Sequence, residues 1–172
     1  MSSARDDEFT EYVSTRLAWL GRVAYLLCQD RHRCEDLVQT AITRLYVHWR
    51  RAVAADNLDG YAHTILVRVY LSERSSAWAR RVQVSPALPD DTARAPDVEA
   101  ELDLRAALAM LAPRQRAAIV LRYYCDLSVD QTAAVLGCSA GTVKSQTARG
   151  LDTLRRLVVS PAGTPAEGRN RS

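Results

Sequence analysis

The chain has 172 residues, 48% of them hydrophobic and 25% charged, with a net charge of +3, which suits one large globular domain or two small ones. No apolar run approaches the roughly 20 residues of a membrane helix. The acidic start, Met1-Ser2-Ser3-Ala4-Arg5-Asp6-Asp7-Glu8, lacks the apolar core of a secretory signal, so a cytoplasmic protein with no membrane association is expected.

Seven Gly and six Pro leave long stretches uninterrupted, which favours helices over a turn-rich β fold. Residues 7–28 read as a first helix, with Phe9, Val13, Leu17, Leu20, Val23 and Leu27 at three- and four-residue steps. After the polar break at 29–33, a second helix over 34–51 carries Leu37, Val38, Ala41, Ile42, Leu45, Tyr46 and Trp49. Asp56-Asn57 and Asp59-Gly60 mark a loop with helix-capping chemistry. A third helix over 58–81 turns Tyr61, Ile65, Leu66 and Val69 inward and His63, Arg68, Arg74, Arg80 and Arg81 outward, with Trp78 among the arginines. Three helices on short loops predict a small bundle.

Residues 82–97 hold Pro86, Pro89 and Pro96 among acidic side chains and read as a flexible linker. The helical pattern resumes at 98 with Leu102, Leu104, Ala107, Leu108 and Leu111, and Pro113 fits the first turn of a further helix. The tail, from about 159, reads as disordered. Charge follows this division: residues 1–82 carry 12 basic and 10 acidic side chains, residues 83–112 carry 2 and 6, and residues 113–172 carry 9 and 4. The basic last third points to a nucleic-acid surface.

The sharpest local pattern runs from Leu127 to Val143. Ser128 caps a short helix, Gln131 completes a capping box, Ala133 is small where two helices cross, Gly137 permits a left-handed stop, Ser139 caps the next helix and Val143 seats it. This is helix-turn-helix grammar. The second helix offers Ser139, Thr142, Lys144, Ser145, Gln146 and Arg149, types that bond base edges and phosphates.

The cysteines are Cys28, Cys34, Cys125 and Cys138, and Cys28, His32 and Cys34 have a C-x3-H-x-C spacing that is not a standard zinc pattern. No metal or cofactor is expected. There is no Gly-rich phosphate loop, and His32, His48 and His63 have no evident nucleophile beside them, so no enzyme is read here.

Leu111-Ala112-Pro113-Arg114-Gln115-Arg116-Ala117-Ala118-Ile119-Val120-Leu121-Arg122-Tyr123-Tyr124, then Leu127-Ser128 and Gly141-Thr142-Val143-Lys144-Ser145, resemble region 4 of bacterial sigma factors. Glu35-Asp36-Leu37-Val38-Gln39 with Leu45-Tyr46 resembles their region 2. The two in this order resemble an extracytoplasmic-function (ECF) sigma factor, and the 61–81 and 141–146 runs are most similar to its actinobacterial SigE-type branch. The resemblance implies an all-α chain: region 2 over 7–81, the linker 82–97, region 4 over 98–158 and a tail over 159–172. It implies core RNA polymerase as partner, through the β′ clamp helices and the β subunit, together with promoter DNA. An anti-sigma factor is a further partner that such proteins often have.

Carried over by position, Asp36, Leu37, Gln39, Arg44 and Leu45 match the polymerase-docking helix. Asn57, Tyr61, Arg68, Arg74, Trp78, Arg80 and Arg81 match the part that opens and reads the minus-ten element. Ser139, Thr142, Lys144, Ser145, Gln146 and Arg149 match the reader of the minus-thirty-five element. Thr40 stands where relatives often carry Glu, so one acidic contact of the docking helix is expected to be missing; Arg68 and Gln146 stand where many carry Asn and Arg, so the promoter read should differ from theirs. The competing reading is a helix-turn-helix repressor or activator that works without replacing a sigma factor.

Overall fold

The computed structural model describes the backbone of residues 2–80 and 96–159, and the side chains of residues 4–74 and 103–157. The described residues form helices and no strands. Helix α1 (Ser2–Cys28) ends where Gln29 adopts φ 59°, and its N–H returns to the Tyr25 carbonyl at 2.9 Å. That is a left-handed stop made without glycine. Asp30 then caps α2 (Arg31–Val47) by accepting the Arg33 N–H at 3.1 Å. These caps place α2 three residues earlier than hydrophobic spacing does, and α1 likewise starts before residue 7 because its first turns are polar.

The expected second helix is divided. α2 stops at Val47, His48 sits at φ −100° and ψ 15°, and a short α3 (Trp49–Val53) follows. The break drops Trp49 into the core at 2% exposure, against Phe9 and Tyr12. Helix α4 (Leu58–Arg80) starts at Asn57, whose Oδ1 accepts the Gly60 N–H at 2.8 Å. Asp59 anchors that start to α1: it accepts from Arg16 Nε at 3.0 Å, Arg16 Nη2 at 2.7 Å and the Tyr12 hydroxyl at 2.9 Å.

The C-terminal half opens with α5 (Pro96–Ala109), so Pro96 begins a helix instead of ending the linker. Residues 81–95, and the tail from 160 on, lie outside the described residues. Pro113 opens α6 (Pro113–Ile119), which runs into a single π-helical turn, Val120–Tyr124, closed by the Cys125 N–H on the Val120 carbonyl at 3.0 Å. Arg122 donates to the Leu127 carbonyl, and the Leu127 N–H returns to Leu121 at 3.0 Å.

Helix α7 (Val129–Leu136) carries the capping box foreseen from Ser128 and Gln131, with both reciprocal bonds in place. Gly137 takes φ 63° and ψ 42°. Ser139 then caps α8 (Ala140–Val159) through the Thr142 N–H at 3.1 Å. Val143 on α8 is fully buried, and Gly150 lets α8 approach α6 so closely that a Cβ there would lie 3.0 Å from Ile119.

Thr132 is wholly buried and its hydroxyl has no partner. A buried unpaired hydroxyl carries a desolvation cost that an isosteric apolar group does not. Thr132→Val is therefore expected to raise stability by about 1 kcal/mol, read as a higher denaturant midpoint at unchanged slope.

The two halves share one core. Ala117, Ala118, Leu121 and Leu136 belong to the same buried cluster as Leu27, Leu37, Leu66 and Val67. Helix α4 lies between the halves, in contact with α1 and α2 on one side and with α6 and α7 on the other. This corrects one expectation: His63, assigned to the outer face of α4, is 5% exposed, because Trp19 of α1 packs on its ring and the turn at Cys125 and Leu127 faces it.

Candidate nucleic-acid and polymerase interfaces

On α8 the buried stripe of Val143, Thr147 and Gly150 fixes what faces outward. Thr142, Ser145, Gln146 and Arg149 follow one another at helical spacing on one open face; Ser145 and Arg149 are exposed, and Thr142 and Gln146 half-buried. Lys144 is exposed on the opposite flank, beside Arg122 and Val129 in a shallow hollow. It is therefore separated from Gln146, so an open polar face and a flanking cation occur on one helix. Ser139 is engaged locally: its Oγ accepts the Thr142 N–H and lies 2.9 Å from the Thr142 hydroxyl. Ser145 donates back to the Thr142 carbonyl at 3.0 Å.

Along α4, Tyr61 and Arg68 stand seven residues apart and so share a face, with Arg68 exposed and Tyr61 half-buried against the core. Asn57 is exposed at the helix start, and its side-chain oxygen is committed to the cap. Arg74 is not brought together with them: it lies across the Tyr70 ring, 5.8 Å from its centre, on the side turned towards the C-terminal half. The side chains of Trp78 and Arg80, and all of Arg81, lie outside the described residues.

On α2, Asp36, Gln39 and Thr43 form the exposed ridge, and Arg44 is exposed on its flank. Leu37 and Leu45 are 0% and 2% exposed and pack inward. They are corrected from docking residues to the residues that hold the ridge in place, because the stripe at their spacing is what binds α2 to α1 and α4. Tyr46, read from the sequence as part of the apolar stripe of this helix, and Val47, which was not singled out, stand at the end of this ridge, 39% and 66% exposed. The Tyr46 hydroxyl donates to Asp6 at 2.7 Å and its carbonyl accepts from Arg5 at 2.7 Å, so the first turns of α1 border this surface.

A cleft of about 320 Å³ separates the start of α4 from the C-terminal half. Trp19, Asn57, Asp59 and His63 line one wall and Cys125 and Leu127 the other. The His63 ring meets Trp19 edge-on at 4.1 Å, neither ring nitrogen has a hydrogen-bond partner, and burial pushes its pKa down to about 4. Burial likewise raises the Cys125 thiol to about 12, so it is a protonated, weakly nucleophilic group. Among the described residues no group of three or more His, Cys, Asp or Glu side chains is placed to hold a metal ion, and no helix is long and apolar enough to cross a membrane.

Two family models match this chain in succession: Sigma-70 region 2 over residues 12–82 and Sigma-70, region 4 over residues 101–154. The RNA polymerase sigma-E factor of Streptomyces coelicolor is 38% identical over 159 residues, covering 89% of this chain and 87% of that protein. The ECF RNA polymerase sigma factor EcfG of Rhodopseudomonas palustris is 30% identical, covering 91% and 85%. Among solved structures, the sigma factor RpoE of Bartonella quintana, in complex with the anti-sigma factor NepR, superposes with a TM-score of 0.72 at 26% identity, over 88% of this chain and 97% of that one.

Proposed function

The chain belongs to the sigma-70 family, as an ECF RNA polymerase sigma factor, and from that premise we propose that residues 7–81 act as its region 2 and residues 98–158 as its region 4. Such a factor directs promoter-specific initiation and leaves nucleotidyl transfer to the polymerase. The observation that carries the residue assignment is the doubly capped α7–Gly137–α8 unit, which holds an open face of Thr142, Ser145, Gln146 and Arg149. In this reading α8 enters the major groove at the minus-thirty-five element, Gln146 bonds a base edge, and Arg149 and Lys144 take a base edge or phosphates.

Region 2 takes the second contact. Asn57, Tyr61 and Arg68 face the melted minus-ten strand, where unstacked bases need rings and cations, and Asp36, Gln39 and Arg44 meet the polymerase clamp. Arg74, Trp78, Arg80 and Arg81 are assigned to the same minus-ten contact from the sequence resemblance alone. Two weak contacts on one chain gain from effective concentration. The Bartonella relative was crystallised with an anti-sigma factor, and a regulator of that kind is the candidate third partner here.

The direct test is run-off transcription from a fragment library by purified core polymerase with and without the protein. Protein-dependent transcripts that share an upstream motif and a start-proximal motif are expected; failure to bind core polymerase would favour a helix-turn-helix regulator instead. Gln146→Ala is expected to cost about 1–3 kcal/mol at a single base pair of the upstream motif, seen as relaxed preference at that position in a binding-site selection. Unchanged preference would remove Gln146 from the reading face. Asp36→Arg, at an exposed site, should weaken association with core polymerase while leaving the circular dichroism spectrum and the melting temperature in place. Normal association would reject the α2 ridge as the docking surface.

A further inference from the structure

Of the 23 basic residues in the sequence, 22 are arginine and one is lysine, and that one is Lys144, on α8. The difference is chemical. A guanidinium stays protonated and charged, whereas a lysine amine can be acylated and its charge thereby removed. Loss of side-chain positive charge by acylation is therefore confined, in this sequence, to one position.

Lys144 is exposed and borders a shallow hollow of about 220 Å³. Thr147, Ala148 and Leu151 follow it along one flank of α8, at steps of three, four and seven residues. Val129 of α7 and Arg122 of the π-helical turn complete the lining. Arg122 is half-buried and is held by donating to the Leu127 carbonyl. Neither Arg122 nor Lys144 belongs to an ion pair among the described residues. Thr147 is 9% exposed, and its buried hydroxyl has no hydrogen-bond partner. Such a group carries a desolvation cost that a ligand oxygen in the hollow would relieve. The hollow thus combines two cations, an uncommitted hydroxyl and a short apolar floor of Val129, Ala148 and Leu151. That set matches a small molecule with a phosphate at one end, a carbonyl next to it and an alkyl group at the other, which is an acyl phosphate.

We propose that Lys144 is a self-acylation site, modified by an acyl phosphate bound in this hollow, and that the transfer removes a DNA-phosphate contact from α8. The second half of this statement rests on the reading of α8 given above; the first half does not. Arg122 receives the phosphate of the donor, the floor receives its alkyl group, and the Thr147 hydroxyl donates to the carbonyl oxygen, which gains charge as the amine adds. The Nζ lone pair forms a C–N bond to the carbonyl carbon. The bond from that carbon to the bridging oxygen breaks, and phosphate leaves with the proton of the amine. Nothing is oxidised or reduced. A hollow of this size admits an acyl phosphate whole, while an acyl thioester of a nucleotide carrier would leave its nucleotide outside.

The test incubates the full chain with acetyl phosphate, with Nα-acetyllysine in the same tube as the reference amine, and follows both by mass spectrometry with peptide mapping. Lys144 is expected to react roughly tenfold faster than the reference, as one charge-assisted bond to the donor allows. Its rate should saturate with acetyl phosphate and be competed by inorganic phosphate. Thr147→Val should slow it several-fold, by about the worth of one hydrogen bond. A rate no faster than the reference, or one that rises linearly without saturation, would overturn the site. Equal rates with acetyl-coenzyme A at the same concentration would overturn the assignment to an acyl phosphate. Binding to a labelled mixed-sequence duplex is then read by fluorescence anisotropy across a salt series, before and after treatment. The acetylated chain is expected to bind several-fold more weakly at low salt, with a salt slope smaller by about 1. Lys144→Arg should show no change on treatment, whatever its starting affinity. Fast, saturable acetylation that leaves the salt slope unmoved would uphold the site and remove Lys144 from the phosphate contacts. A chain that never binds core polymerase would sink the sigma reading, while the rate comparison still judged the site.

Discussion

Trp49→Ala is expected to lower the unfolding free energy by about 3–5 kcal/mol, and to lower it for both halves of the chain at once. The indole is 2% exposed, edge-on to Phe9 at 5.1 Å and tilted to Tyr12 at 5.5 Å, and Phe9 also meets Tyr46 at 5.0 Å. Truncation opens a cavity where α1, α2 and α3 meet, and rings anchored on three segments cannot collapse into it without moving a helix. The Trp49 N–H has no partner, so the cost lies in ring volume and not in a lost hydrogen bond. Trp49→Phe should accordingly cost much less than Trp49→Ala. Because one buried cluster runs through both halves, calorimetry should show a single endotherm moved downward. Two endotherms, only one of them moved, would show that the halves unfold independently.

What was legible in the sequence was the chemistry that acts over three or four residues. Ser128 with Gln131, Gly137 at the left-handed stop and Ser139 at the next cap each form bonds within their own turn, so residue type and offset suffice to place α7 and α8. The motifs that resemble regions 2 and 4 likewise fall on α2 and on α6 to α8. Boundaries set by polar residues were less legible. Asp30 starts α2 three residues before its first buried side chain, and nothing in the apolar pattern marks His48 as the break that divides α2 from α3.

What was not legible depends on the second half of the chain. Helix α4 buries residues on more than one face, including Ala62, His63, Leu66, Val67 and Tyr70, so no single stripe records its orientation. His63 reads as an outer residue from the apolar spacing of α4, and is buried by Trp19 of α1 and the turn at Cys125 and Leu127. Arg116, 5% exposed, donates to the Leu27, Leu108, Ala109 and Leu111 carbonyls and carries no sequence signal of that role, since every residue has a carbonyl. Arg74 was read with Arg68 on the outer face of one helix, and the six-residue step between them places the two on different sides. The candidate interfaces were thus foreseen as residue sets, while their division into exposed ridge, committed cap and inter-half contact came only from packing.

Acidification from pH 6.5 to pH 4 is expected to remove up to about 3 kcal/mol of stability through His63 alone. In the unfolded chain its imidazole titrates near the ordinary 6.5; in the folded chain burial pushes it down to about 4. As pH falls, the unfolded state takes up the proton first, so stability is full above 6.5 and drains away until the folded ring also protonates. The charged groups acting on the ring are Asp59, which favours its protonation, and Arg16, which opposes it, and they are paired with each other at 2.7 Å. Trp19 covers one side, and Cys125 and Leu127 close the cleft without a charge. Denaturant unfolding at a series of pH values should therefore give a steeper fall for the unaltered chain than for His63→Gln, and the difference between the two isolates this residue from the carboxylates. Equal slopes, or an imidazole proton resonance titrating near 6.5 in the folded chain, would place the ring in water.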